Sequence, residues 1–122
     1  MKILIVEDSL TQLKLLEKIL QNNFELYLTE DAFDAYLKLN LHDDISVVMV
    51  DYHMPFVNGA EFIRKIKQTD RFADLPMILF TDKETEDMYQ DVLSSGATTF
   101  LKKPFSAKNL NQILANYIKE EV

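Results

Sequence analysis

The sequence predicts an open α/β sheet, with parallel strands in the middle and helices on both faces. Three observations predict it. Five short apolar runs recur along the chain, and segments with helical spacing separate them. The 122 residues, 48% of them hydrophobic, suit one domain spanning 1–122, and are about half of what a (β/α)8 barrel needs.

Of the apolar runs, the first (Ile3 to Val6), third (Ile45 to Val50) and fourth (Met77 to Phe80) are almost unbroken, the pattern of strands buried on both faces of a parallel sheet. The second (Phe24 to Leu28) and fifth (Thr98 to Leu101) share the β-branched and aromatic content of strands. In the first helical segment Leu13, Leu16, Ile19 and Leu20 fall on one face, and Asp8 or Ser9 is placed to cap a helix starting near Leu10. The second, roughly Asp31 to Asn40, has the weakest single stripe. Phe62, Ile63 and Ile66 mark the third helix, which Gly59 opens; Met88, Val92 and Leu93 mark the fourth, which Gly96 follows. The stretch Thr81-Asp82-Lys83-Glu84 reads as a capping box for the fourth helix as readily as a ligand loop. Leu110, Ile113, Leu114, Tyr117 and Ile118 keep the i, i+3, i+4, i+7, i+8 spacing of the fifth. Strands and helices thus alternate simply, which calls for right-handed crossovers.

Charge narrows the function. A net charge of −7 and a pI near 4.7 oppose binding to nucleic-acid phosphates or anionic lipid, and favour a protein partner or a cation. The basic pair Lys102-Lys103 is too short to change that. Without cysteine, thiolate metal sites and disulfides are excluded. The opening apolar run is too short for a signal-peptide core or membrane span, so a soluble cytoplasmic protein is the expectation.

In a doubly wound sheet, ligands bind beyond the carboxyl ends of the strands. The residues found there carry the chemistry: Glu7 and Asp8 after the first strand, Asp51 ending the third, Thr81 and Asp82 after the fourth, and Lys102, Lys103 and Pro104 after the fifth. Three clustered carboxylates raise one another's pKa unless a counter-charge intervenes, and Mg²⁺, with its preference for oxygen ligands, answers that need. Asp51 would then be a carboxylate nucleophile, with Thr81 and Lys103 meeting the oxygens of a transferring phosphoryl group.

Glu7-Asp8, the stretch from Asp51 through Met54-Pro55 to Gly59, Thr81, Phe100 and Lys103-Pro104 together resemble the receiver domains of two-component response regulators, in order and spacing over essentially the whole chain. The resemblance implies a flavodoxin-like (βα)5 sheet of order 2-1-3-4-5, the order the doubly wound class illustrates with a chemotaxis receiver. It implies Asp51 as phosphoacceptor for a histidine kinase or phosphotransfer protein. Mg²⁺, or Mn²⁺ in its place, would be held by Asp8, Asp51 and the backbone carbonyl of His53, with Glu7 holding metal water. Lys103 would meet the phosphoryl group, and its bond to Pro104 would be cis. Thr81 and Phe100 would form the switch, and a downstream target or a second copy would dock on the face of the fourth helix, fifth strand and fifth helix. Such a domain catalyses its own phosphorylation and dephosphorylation without turning over a separate substrate. One departure stands out: Asp82 occupies a position that is usually small in receivers, where it would gate access to the acceptor.

Other readings fit less well. A haloacid-dehalogenase-type phosphatase wants Asp-x-Asp where this chain has Glu7-Asp8-Ser9. A flavin binder needs a phosphate-cradling loop where these acids sit. A two-histidine zinc site would have to unite His53 with His42, which sits in a loop after a helix. A receiver-shaped interaction module that is never phosphorylated remains the alternative, although its signature, a missing acceptor or lysine, is absent.

Overall fold

A computed structural model describes residues 2–83, 85–103 and 105–118. Strands β1 (Lys2–Val6), β2 (Glu25–Thr29), β3 (Ile45–Asp51), β4 (Met77–Thr81) and β5 (Thr99–Lys102) pair in parallel in the order β2-β1-β3-β4-β5. Helices α1 (Leu10–Leu20), α2 (Ala32–Leu41), α3 (Gly59–Lys67), α4 (Glu86–Ser95) and α5 (Ala107–Ile118) connect and follow them, with a 3-10 turn at Asp70–Phe72.

Alternation along the strands explains the unbroken apolar runs. Leu4, Val6, Val48, Val50, Met77 and Leu79 point to one core with α2, α3 and α4. Their neighbours Ile3, Ile5, Val47, Met49, Ile78 and Phe80 point to the other, with α1 and α5. Both faces of the central strands are therefore dry, and no strand position among these can be polar without leaving a buried group unpaired. Strand β2, at the sheet edge, is only partly covered, which is why its sequence is more mixed.

Caps fix where helices begin. Ser9 Oγ accepts from Gln12 N at 3.4 Å, so Ser9 and not Asp8 caps α1. Asp31 and Asn58 cap α2 and α3 through bonds of 2.7 and 2.8 Å from Asp34 N and Glu61 N. At α4 the capping residue is Thr85, whose Oγ1 accepts from Met88 N, so the capping box read from Thr81 onward is not what starts that helix. Its partner Glu84 lies outside the described residues, as do Pro104, with its expected cis bond, and the side chain of Ile118.

Two further differences are small in sequence and physical in origin. Leu93, which with Met88 and Val92 marks the fourth helix in the sequence, is 80% exposed, while Met88, Val92 and Ser95 make the buried face. At about 100° per residue Leu93 lies roughly 140° around the helix from Met88, whereas Ser95 returns to within about 20° of it. Thr98 precedes β5, giving its hydroxyl to accept from Met77 N and its own N–H to Met77 O, which ties the strand's entry to β4.

Candidate functional site

The chain leaves β1 for β2 on one side and returns to lay β3 on the other, so the strand order reverses between β1 and β3. Their carboxyl ends open a crevice there, where Glu7, Asp8, Asp51 and Lys103 come together.

Glu7 follows β1 and is buried, Asp8 is exposed, and Asp51 ends β3 almost fully buried. Each offers a carboxylate oxygen, and these lie within 4.8 Å of one another. Lys103, just after β5, reaches across the sheet edge: Nζ stands 3.5 Å from Glu7 Oε2, 3.9 Å from Asp51 Oδ2 and 4.9 Å from the centre of the Phe80 ring. A lysine held over an aromatic face beside buried acids loses much of its freedom, which aims it. Its own N–H donates to Thr81 O at 2.7 Å, fixing the turn that launches it.

The acids are oriented by backbone. His53 N donates to Asp51 Oδ1 at 3.1 Å, and Ser9 N donates to Glu7 Oε1 at 3.3 Å. Burial, then the hydrogen bond and charge of Asp51, push the Glu7 carboxyl up to about 8, and Lys103 opposes that rise without cancelling it.

Thr81 is buried at the end of β4. Its hydroxyl donates to Lys83 O at 2.8 Å and accepts from Lys83 N at 3.1 Å. Its one donor is thus engaged locally, and any new acceptor must replace Lys83 O. The side chain of His53 turns away from the acids: Nε2 lies 3.4 Å from Lys83 O, and the ring meets Tyr52 edge-on. His42 stacks on Tyr27, apart from this cluster. The two histidines are not brought together.

Gly59 is required by space. A Cβ there would stand 2.5 Å from Asp51 O and 2.6 Å from Leu79 Cδ1. Gly59 N also donates to Tyr52 O at 2.9 Å, so the start of α3 is pressed against the strand end that carries Asp51. Between them the loop makes a γ-turn, Val57 N donating to Pro55 O at 2.8 Å, which sets Phe56 at φ 70° with its ring wholly exposed.

On the α1 side of the acids lies a cleft of about 400 Å³ whose walls include Leu15, Ile19, Asp82, Lys103 and Phe105. Asp82 shares this cleft with Lys103 and does not cap α4. On the other side, Phe100 is half-buried against the α2–α3–α4 core and meets Tyr89 of α4 edge-on, centroids 6.0 Å apart.

A cluster that sequence reasoning missed links the loop after β3 to α4. Asp91 accepts from Tyr52 Oη (2.8 Å), Arg64 (2.7 Å) and Asn58 Nδ2 (3.3 Å). Burial works against its charge, but these three donors outweigh burial and hold its carboxyl below the ordinary range. Burial and Asp91 push the Tyr52 hydroxyl up to about 12. Residues 39 apart meet here, and no local spacing announces that.

The model of the response regulator receiver domain matches residues 3–115. The chain belongs to that family. Response regulator receivers of two-component signalling include chemotaxis proteins to which this one is similar: it is 29% identical over 116 residues to CheY1 of Helicobacter pylori, covering 93% of this chain and 94% of that protein. The structure of CheY4 of Vibrio cholerae superposes with a TM-score of 0.86 at 26% identity, covering 95% of this chain and 97% of that one. A receiver domain of a signal transduction histidine kinase from Syntrophus aciditrophicus superposes with 0.90 at 27% identity, covering 98% and 90%. The receiver fold anticipated from sequence, with its strand order, is thus the fold observed. Among the described residues, no helix is long and apolar enough to cross a membrane.

Proposed function

We propose that this receiver accepts a phosphoryl group on Asp51 from the phosphohistidine of a kinase or phosphotransfer protein. The observation that carries the reading is Lys103 Nζ, brought from the end of β5 to 3.9 Å from Asp51 Oδ2 beside two further acids. A lysine aimed at a buried carboxylate in a site rich in acids matches what transfer of a dianionic group requires.

Asp51 supplies the nucleophile: one of its oxygens forms the bond to phosphorus while the bond from phosphorus to the donor imidazole nitrogen breaks, and the imidazole leaves with the electron pair. His53 N, bonded to Oδ1, holds the carboxylate plane in place. Asp8, Asp51 and the backbone carbonyl of His53 would hold Mg²⁺ or Mn²⁺, with Glu7 binding a metal water. Three acids within 4.8 Å fit such an ion, because its charge favours the ionised Glu7 that burial, and then Asp51, disfavour. When bound, the cation neutralises charge on the phosphoryl oxygens. Lys103 and the Thr81 hydroxyl meet those oxygens after transfer, the latter by exchanging its bond to Lys83 O. That exchange gives the switch its physical basis: releasing the loop after β4 frees room beside Phe100, and the α4-β5-α5 face changes shape for a downstream partner. The receiver catalyses its own phosphorylation and dephosphorylation and turns over no other substrate.

Incubation with Mg²⁺ and acetyl phosphate or phosphoramidate should add one phosphate by intact mass, lost in Asp51→Asn. No added mass with either donor, or persistent labelling of the variant, would overturn the assignment and, in the first case, favour a module that signals without phosphorylation.

A further inference from the structure

Helix α2 is apolar on both sides. Ala35 and Leu39 are buried against the sheet, yet Phe33, Tyr36, Leu37 and Leu41 face solvent at 72%, 48%, 42% and 73% exposure. An amphipathic surface helix needs only one apolar stripe, so the second one, outside the stripe that α2 buries, calls for a cover. With about 200 Å² for each large side chain, the four expose on the order of 450 Å² of apolar surface, the size of the largest, often functional, patch on a monomer.

We infer that a second copy of this chain provides that cover, α2 packing antiparallel on α2 about a two-fold axis at Leu37. Three observations favour a copy over another partner. The stripe Phe33, Leu37, Leu41 has spacing i, i+4, i+8 and is symmetric about Leu37, so an antiparallel mate sets Leu37 on Leu37 and Phe33 on Leu41. In that register Asp34 faces Asn40 and Lys38 faces Tyr36, so no like charges oppose within the helices and the Asp34–Lys38 pair of 3.3 Å in each is kept, while the flanking acids Asp31 and Asp43 add to the repulsion that salt screens. Phe33 also walls a groove of about 720 Å³ between α2 and α3, floored by Phe62 and Ile66, into which the mate's Leu41 would enter. The area agrees as well: a standard interface buries about 800 Å² per partner, slightly more than half of it apolar, and this patch supplies that share. The face is distinct from α4-β5-α5 and needs no phosphorylation.

The test is sedimentation of the unphosphorylated full chain over a range of concentration and salt. A monomer–dimer equilibrium is expected, tightening with salt because two copies of charge −7 repel until screened. Leu37→Asp, on the solvent side and leaving circular dichroism unchanged, should weaken association by at least about tenfold, whereas Leu93→Asp on α4 should not. The register has its own test: Phe33→Lys and Leu41→Glu should each be monomeric alone and form a one-to-one dimer when mixed. A chain that stays monomeric, a dimer indifferent to Leu37→Asp, association that loosens with salt, or no rescue on mixing would each overturn the inference. These readouts do not involve Asp51, so they fail or hold separately from the acceptor assignment.

Discussion

Replacing Gly59 with alanine should destabilise the protein through space alone. The added Cβ would meet Asp51 O at 2.5 Å and Leu79 Cδ1 at 2.6 Å, where ordinary contacts begin near 3.4 Å. The leucine can rotate, but the carbonyl belongs to the central strand β3 and cannot yield by that much. The start of α3 must therefore back away, stretching the 2.9 Å bond from Gly59 N to Tyr52 O. Overpacking of this kind costs about 1–3 kcal/mol, offset by part of the ~1 kcal/mol by which alanine is the better helix former. At about 2.1 cal/mol/K per residue, each kcal/mol lowers Tm by roughly 4 °C, so a fall of about 4–8 °C is expected by calorimetry. Gly96 provides the contrast: its φ of 92° is what needs glycine, while a Cβ there meets nothing nearer than Lys67 Cγ at 3.5 Å. Asparagine, which tolerates the left-handed region, should therefore be milder at 96 and worse than alanine at 59. A Gly59→Ala protein with unchanged or raised Tm would show that α3 slides freely on β3 and would refute the reasoning.

Further expectations concern the acids and their neighbours. Lys103→Ala should leave metal binding, followed by tyrosine fluorescence or calorimetry, largely intact but uncouple phosphorylation from partner binding; equal binding by the phosphorylated variant and wild type would count against that role. Asp82→Ala should accelerate phosphorylation by acetyl phosphate, since a charge about 6 Å from an incoming dianion opposes it by roughly 1–3 kcal/mol before screening, or about tenfold or more in rate. Because Thr85 caps α4, the same substitution should leave Tm unchanged; an unchanged rate would sink the gating idea. The carboxyl of Asp91 is held below its ordinary value, so its contribution to stability is whole above about pH 4 and disappears as pH falls through the lowered folded-state value. Urea denaturation should accordingly find wild type and Asp91→Asn converging in acid, and a constant gap across that range would contradict the assigned bonds.

The sequence by itself determined the sheet and which polar residues stand at the strand ends. Dry strands need unbroken apolar runs, and those runs are visible without a partner; each chemical residue ends a strand or lies within two residues of its end, and strand ends in a parallel sheet share one edge whatever the loops do. Glu7, Asp8, Asp51, Thr81 and Lys103 could therefore be gathered from order alone. Tertiary structure decided what depends on distance across the fold. It gave the α4 cap to Thr85 and placed Asp82 in the wall of the cleft that Lys103 also lines, because the loop after β4 folds back on Thr81 before the helix starts. It joined Tyr52, Asn58 and Arg64 to Asp91 through helix packing that no local pattern encodes. It also explained why the second helix was hard to read: α2 buries Ala35 and Leu39 and exposes Phe33, Leu37 and Leu41, so two apolar faces blur the single period that sequence reading depends on.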